Sequence, residues 1–182
     1  MRLSPLPADE WDDEVDAALA GMLPKRRRNP QGAGNALATM VRHPGLTRSF
    51  MPFNAHLLFG STLSARTREL AILRVATLRN SPYEVEHHTA MGLAAGLTLE
   101  EIEDAQRGAA HDSVDQLILD ATTELDREST ISDATWAALS EHLDERQLID
   151  LVFTVGTYAT LAIAFNTFGI EPDRELEPEY ER

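Results

Sequence analysis

The segment that decides the fold is residues 64–95, SARTRELAILRVATLRNSPYEVEHHTAMGLAA. Residues 66–78 are apolar almost all round, which predicts a central, buried helix. The sequence Asn80-Ser81-Pro82 breaks that helix, and Pro82 suits the first turn of a second helix with Ser81 as its cap. Two helices joined by so short a turn must pack side by side. The segment therefore predicts an antiparallel helix pair at the centre of the protein.

The sequence on both sides of this segment is also typical of helices. Apolar residues recur at helical spacing, and capping residues or glycines mark where each helix begins or ends. The predicted helices are 11–22, 35–42, 45–59, 66–78, 82–95, 98–107, 114–128, 132–143 and 145–168. Residues 24–34 are predicted to form a loop. β-Branched residues are scattered, without alternating runs joined by hairpin turns, so the sequence predicts an all-α fold.

Charge and composition exclude several classes of protein. The net charge is −14, which repels the phosphates of nucleic acid and of anionic lipid, so we expect neither partner. The basic run KRRR at 25–28 is interpreted as a solvated loop, with a local anion or partner contact as the alternative. The N-terminal segment is acidic where a signal peptide would be apolar, and the apolar run at 148–168 contains Asp150 and Asn166. We therefore expect a cytoplasmic protein.

The sequence contains no cysteine. Disulfides, thiolate metal ligands and cysteine nucleophiles all need a sulfur atom that this chain does not have. Thiol peroxidase chemistry is excluded for the same reason, because no thiolate can attack a peroxide bond.

Glu84 and His88 are the best candidates for chemistry. At about 100° per residue, Ser81, Glu84 and His88 fall on one face of the second helix. A carboxylate four residues before an imidazole can contact it, fix its tautomer and raise its basicity, as in a general acid/base. The alternative is a surface Glu–His pair, which contributes roughly a few tenths of a kcal/mol.

A metal site is a second interpretation of the same residues. His87 and His88 are neighbours on a helix and diverge, so they cannot chelate one ion together, and His87 is interpreted as a partly buried or interface residue. Glu84 and His88 supply two ligands, and Glu69 is a candidate third for zinc or iron. The preferred interpretation has no metal and no cofactor.

Glu69 and Arg74 interrupt the most apolar helix of the chain. Burying an unpaired charge costs several kcal/mol, so each residue needs a partner or a cavity. One interpretation is a structural ion pair between neighbouring helices. The other places Glu69 in the same pocket as His88.

Several motifs resemble a known family when they are taken in order. They are HPG (43–45), FG (59–60), RELAILRVA (68–76), YEVEHH (83–88), AAGLTLEEI (94–102) and LVFTVGTYATLAIAFNTFGI (151–170). Their order and spacing resemble the core of the carboxymuconolactone decarboxylase / AhpD-like family. The resemblance covers about residues 40–172.

The resemblance implies an all-α, AhpD-like fold built around a two-helix core motif and assembled as a homo-oligomer, a trimer or hexamer. The apolar excess of the helices at 66–78 and 148–168 also favours self-association. The expected domain limits are an N-terminal arm and loop at 1–34, the family domain at 35–172 and a C-terminal tail at 173–182.

The resemblance also assigns positions within the second helix. In the peroxidase branch of the family this helix carries C-x-x-C and, four residues later, a histidine. Ser81 and Glu84 stand where the cysteines would be, His88 matches the histidine, and Glu69 matches the upstream acid. Val85 replaces the tryptophan that relatives often have, which reshapes the wall of the expected pocket.

The implied function is that of a cofactor-independent, lyase-like enzyme acting on a small carboxylate or lactone. His88 is the expected general acid/base, and Glu84 and Glu69 are expected to orient it and tune its pKa. The residues expected to bind substrate are Tyr83, Ser81, Asn80 and Arg74. The alternatives are a non-catalytic scaffold or binding protein, and a metal-dependent enzyme that uses Glu69, Glu84 and His88.

Helix geometry makes the site testable. Glu69 lies eleven residues before Asn80, and His88 lies eight residues after it. At roughly 1.5 Å per residue the two side chains stand at similar heights on adjacent helices. We therefore predict that Glu69, Glu84 and His88 converge, with Glu69 within about 10 Å of the His88 ring, the limit for direct or one-water coupling.

Overall fold

The computed structural model describes residues 1–173. The helices are α1 (Asp13–Leu19), α2 (Pro30–Met40), α3 (Pro44–Ala55), α4 (Ala65–Leu78), α5 (Pro82–Ala94), α6 (Leu99–Arg107), α7 (Ser113–Glu128), α8 (Asp133–Ser140) and α9 (Glu145–Phe168). Two 3₁₀ helices span Ala8–Glu10 and Lys25–Arg27, and a π-helical turn spans His56–Gly60. No β-strand occurs among residues 1–173, and the predicted all-α fold is confirmed.

Contacts divide the chain into two compact units. The first comprises residues 1–60 with the described residues from 165 onward, and the second comprises residues 61–164. The domain limits expected from the sequence (1–34, 35–172 and 173–182) stay a prediction, and residues 174–182 lie outside the described part of the chain. All seven candidate site residues belong to the second unit.

The first unit has its own hydrophobic cluster. Its buried members are Leu6, Val15, Leu19, Leu23, Ala33, Ala38 and Val41. Helix α2 begins inside the predicted loop, because the Asn29 side chain accepts a hydrogen bond from Gly32 N and Pro30 suits a first turn. The loop prediction is therefore wrong from residue 30 onward. Gly34, with φ of 71°, interrupts α2 just before the predicted helix at 35–42.

Helix α4 is the centre of the second unit. The Ser64 side chain caps it by accepting a hydrogen bond from Thr67 N. Helices α5, α6 and α7 pack around it, and its apolar residues from Leu70 to Ala76 are at most 1 % exposed. The predicted central helix is confirmed. Its apolar surface is already covered within one chain, so α4 does not supply the exposed apolar excess that favoured self-association.

The turn between α4 and α5 differs from the prediction in one respect. Asn80 has a left-handed φ of 51°, and Ser81 N donates to Ala76 O. This turn buries the Ser81 side chain, and its Oγ makes no hydrogen bond to the N–H groups of α5. Ser81 occupies the N-cap position of α5 as predicted, but its side chain does not make the capping hydrogen bond.

Helix α9 is the one helix among residues 1–173 that is long and apolar enough to cross a membrane. The mean hydropathy of its most apolar 18-residue window is 1.8, and half of that window is buried inside the protein, as in the core helix of a soluble protein. Asp150 ties α9 to the segment before α4, because its Oδ2 accepts hydrogen bonds from Ser61 Oγ, Thr62 N and Thr62 Oγ1. This anchor places the buried face of α9, which carries Tyr158, against the core of the unit.

Candidate active site

His88 lies between two carboxylates. Its Nδ1 is 2.6 Å from Glu69 Oε2, and its Nε2 is 3.3 Å from Glu84 Oε2. Glu69 reaches the ring from α4, whereas Glu84 reaches it from one turn earlier in α5. The predicted convergence of Glu69, Glu84 and His88 is confirmed, and their catalytic roles stay predictions.

All three side chains are buried. Glu69 is 0 % exposed, and Glu84 and His88 are each 3 % exposed. A surface Glu–His pair is therefore excluded for these residues. A buried charge needs compensation, and each of these groups finds it in the other two.

Arg68 and Tyr158 complete the cluster. The Nε and Nη2 atoms of Arg68 both lie 3.0 Å from Glu69 Oε1. The Tyr158 ring stands edge-on to the His88 ring, with 4.9 Å between ring centroids and 88° between planes. Sequence reasoning placed both residues in family-like motifs but assigned neither to the site. An arginine beside a buried glutamate was the available signal for Arg68.

The electrostatics make His88 a cation at neutral pH. Burial lowers the pKa of the imidazole, but the charge and hydrogen bond of Glu69, together with those of Glu84, outweigh burial and raise the pKa to about 9. Burial likewise raises the pKa of Glu69, but the charges and hydrogen bonds of His88 and Arg68 hold that pKa below its usual range. With His88 protonated, the formal positive charges of Arg68 and His88 equal the formal negative charges of the Glu69 and Glu84 carboxylates.

The substrate-binding candidates occupy different environments. Ser81 is 1 % exposed, and its Oγ has no hydrogen-bond partner among the described residues. Tyr83 is buried and stacks on His87, with ring centroids 5.7 Å apart and planes at 11°. Asn80 is exposed in the turn. Ser81 stands on the same face of α5 as Glu84 and His88 by helical spacing, so it is the candidate best placed to meet a molecule there.

Arg74 is not part of this cluster. Its Nε donates to Thr123 Oγ1 at 2.9 Å, and its Nη1 donates to Gln106 O at 2.8 Å. Glu69 and Arg74 are five positions apart, so their side chains differ in direction by about 140° around the axis of α4. The prediction that Arg74 supplies the cation for substrate is therefore not supported by its position, and Arg68 is the arginine that contacts the candidate site.

Residues 44–126 match the sequence model of the Carboxymuconolactone decarboxylase family. Over this segment the chain is similar to that family. No protein among curated sequences matches it significantly. The sequence contains no cysteine, and the buried acid–imidazole cluster lies inside the matched segment apart from the Tyr158 ring.

Solved structures share the fold of this chain. An uncharacterized peroxidase-related protein from Silicibacter sp. TM1040 has a TM-score of 0.73 and 17% identity, over 100% of this chain and 97% of that one. An uncharacterized peroxidase-related protein from Ralstonia eutropha JMP134, described as an alkylhydroperoxidase AhpD core, has a TM-score of 0.73 and 16% identity, over 96% and 94%. A protein of unknown function from Agrobacterium tumefaciens has a TM-score of 0.67 and 16% identity, over 74% and 94%. At this identity the likeness concerns the fold.

The geometry argues against a metal held by Glu69, Glu84 and His88. The two carboxylates contact opposite nitrogens of the His88 ring, and one ion cannot bind both ring nitrogens. Arg68 also donates a hydrogen bond to Glu69. A metal ion bound to Glu69 would therefore have to displace this guanidinium or be repelled by its charge. The arrangement suits proton transfer better than chelation.

A different group has the spacing of a metal site. Candidate ligand atoms of Glu100, Asp104 and His111 lie within 4.8 Å of one another. Asp104 already pairs with Arg107, and the His111 side chain is 88% exposed. These surface residues lie away from the buried cluster in sequence and share no contact with it among the described residues.

Proposed function

We propose that this protein is an acid–base enzyme acting on a small carboxylate or lactone, with His88 as its proton donor. The observation that supports this is the position of the His88 ring between Glu69 and Glu84, where it is protonated at neutral pH. A donor held in that state is ready to protonate a substrate without first taking a proton from it.

The two ring nitrogens have different roles in this proposal. The contact of Nδ1 with Glu69 is 2.6 Å long, whereas that of Nε2 with Glu84 is 3.3 Å long. The shorter bond fixes the ring, and the longer one leaves the Nε2 proton more easily transferred. Glu69 is then the orienting acid, and Glu84 lies beside the reactive proton.

Decarboxylation is the reaction class that uses such a donor. Decarboxylation breaks the bond between the carboxylate of the substrate and the adjacent carbon and releases carbon dioxide. The electron pair of that bond passes into a conjugated carbonyl group of the substrate, which becomes an enolate. The imidazolium then protonates the enolate carbon, and a proton from water restores His88. A fixed positive charge near the developing enolate lowers the barrier to its formation.

Arg68 and Ser81 are the proposed substrate contacts. Both contacts of the Arg68 guanidinium are made through Nε and Nη2, so Nη1 is unpaired within the part of the chain that the structure describes. A carboxylate can pair with that edge, and the Ser81 hydroxyl can donate to a lactone oxygen. A buried hydroxyl without a partner costs about 1–3 kcal/mol, which a bound molecule would recover.

Burial favours one other function, a non-catalytic scaffold. The cluster balances its own charges and exposes at most 3 % of Glu69, Glu84 or His88. Buried polar clusters of this kind also serve to fix helix packing. A binding protein that keeps the family fold would need nothing more from these residues.

Substrate profiling separates the two functions. Wild type and His88→Gln are compared on a panel of small 3-oxo acids, unsaturated carboxylic acids and lactones, with carbon dioxide release and lactone loss as readouts. We expect turnover by wild type and a loss of about 10²–10⁴-fold in His88→Gln, the usual contribution of a general acid. The matched control is His142→Gln, whose side chain is exposed and whose turnover should equal that of wild type.

Folding and metals are checked in the same preparations. Circular dichroism identifies a variant that fails to fold, and wild-type turnover after dialysis against a chelator tests for a metal. Equal turnover by wild type and a folded His88→Gln would overturn the proposal. Absence of turnover on the whole panel, with a folded and stable wild type, would favour the scaffold.

A further inference from the structure

The loop between α6 and α7 brings a histidine beside two carboxylates. Glu100 and Asp104 are four residues apart on α6, so their side chains share one face of that helix. His111 lies in the loop, residues 108–112, that connects α6 to α7. We call Glu100, Asp104 and His111 the loop triad, because a ligand atom of each lies within 4.8 Å of those of the other two.

The loop that carries His111 is fixed by hydrogen bonds. Gly108, with a left-handed φ of 83°, ends α6 and turns the chain back. The Gln116 side chain on α7 accepts a hydrogen bond from Ala110 N at 2.8 Å and donates one to Gly108 O at 3.1 Å. The backbone beside His111 is therefore ordered before any ligand binds, which lowers the entropic cost of binding.

Asp104 directs its two carboxylate oxygens to different partners. Its Oδ1 accepts a hydrogen bond from Arg107 Nη2 at 2.5 Å, whereas its Oδ2 lies 3.9 Å from His111 Nε2. That second distance is too long for a hydrogen bond. Two ligand atoms of one tetrahedral ion are about 3.4 Å apart, because each metal–ligand bond is about 2.1 Å long. Small rotations of the exposed Glu100 and His111 side chains therefore close the triad on an ion.

A cavity and an excess of negative charge adjoin the triad. The cavity has a volume of about 30 Å³, and Asp104 and His111 are among the residues that line it. A water molecule needs roughly 10–15 Å³ of such space, so the cavity can hold water that completes the coordination of an ion. Residues 100–115 include six carboxylates, which outnumber the two arginines that pair with them in the described chain, Arg66 and Arg107. This local charge favours a cation.

We propose that Glu100, Asp104 and His111 bind one divalent ion of the zinc class, with water completing its coordination. One imidazole nitrogen with two carboxylate oxygens suits zinc, cobalt or nickel, whereas calcium and magnesium prefer oxygen ligands alone. The ion joins α6 to the loop before α7 and stabilises the folded chain. The site is separate from the His88 cluster, which is built on α4, α5 and α9.

Calorimetric titration of the chelator-dialysed full chain with zinc chloride tests the site. Excess magnesium chloride is present to occupy surface carboxylates that bind cations without selectivity. We expect one zinc ion per chain, an affinity at least about tenfold weaker in His111→Gln and in Asp104→Asn, and a zinc-dependent rise in the melting temperature of wild type. The imidazole NMR signals of His111 should shift or broaden on zinc addition.

The matched control is His142→Gln, which removes an exposed histidine outside the triad and should bind zinc as wild type does. Circular dichroism confirms that each variant is folded. Equal zinc affinity of wild type and folded His111→Gln would overturn the proposal. Loss of zinc binding in excess magnesium would also overturn it, because the ion would then be held by surface carboxylates without selectivity. A zinc-induced change at His88 instead of His111 would place the ion at the buried cluster and overturn the proposal as well.

Discussion

Glu69 and Arg74 stand five residues apart on the same buried helix, yet the structure gives them opposite kinds of environment. Glu69 faces α5 and pairs with His88 and Arg68, both of which carry charge. Arg74 faces α6 and α7 and donates to a hydroxyl and a carbonyl. Gly108 leaves room for the guanidinium, since a Cβ there would lie 2.8 Å from Arg74 Cζ.

The comparison separates a structural charge from one that can take part in chemistry. The acceptors of Arg74 do not titrate, so its hydrogen bonds fix α4 against its neighbours and little else. The partner of Glu69 is an imidazole with a pKa of about 9, so the charge of this pair can change by one proton. Of these two charges on α4, Glu69 is therefore the one to test for function.

The largest expected effect comes from Glu69→Gln. Removal of the carboxylate leaves the His88 imidazolium buried beside Arg68, and breaking a buried pair in this way costs about 3–5 kcal/mol. Urea unfolding at pH 6 and fixed protein concentration measures the loss. A change below about 1 kcal/mol would mean that the pair does not stabilise the fold.

The pH dependence of the same experiment has a definite sign. The His88 pKa is raised from 6.5 to about 9 on folding, so its contribution to stability is complete below pH 6.5 and is lost as the pH rises through about 9. That loss is about 3 kcal/mol in wild type. Since the pKa of Glu69 is lowered, its contribution is lost instead as the pH falls into the acid range. Glu69→Gln should remove most of the alkaline loss.

A smaller effect is expected from Arg74→Met. Methionine keeps the apolar stem but abandons the Thr123 hydroxyl and the Gln106 carbonyl, at a cost of about 1–3 kcal/mol. The NMR titration of His88 should be the same as in wild type, because Arg74 makes no contact with the cluster. Movement of the His88 pKa toward its ordinary value in Arg74→Met would break the distinction between the two charges.

The smallest effect is expected from Glu84→Gln. Its contact with His88 is 3.3 Å long, and the cause that most strongly raises the pKa of His88 is Glu69. The pKa of His88 should fall by about one unit or less, and by less than in Glu69→Gln, when both are followed by NMR. Unfolding free energy should change by about 1 kcal/mol. A larger shift than in Glu69→Gln would reverse the assignment of the orienting acid.

The candidate cluster shows which parts of a site local rules can predict. The i,i+4 relation of Glu84 and His88 and the equal heights of Glu69 and His88 are properties of one helix and one short turn. They were enough to bring three residues together. Ser81 lies at the predicted N-cap position, but its hydroxyl makes no capping hydrogen bond because the turn at Asn80 buries that side chain. Helix capping rules do not predict how a turn packs against the core.

The sequence by itself determined the helices, the absence of thiol chemistry and the acid–imidazole trio, because these depend on periodicity, composition and spacing along the chain. Only the tertiary structure decided that Arg68 rather than Arg74 joins the trio, that Tyr158 stands against the His88 ring, and that α4 is covered while one face of α9 is exposed. The physical reason is that partners from other helices set burial, and burial together with those partners sets the pKa of each charge. Spacing along one chain segment does not contain that information.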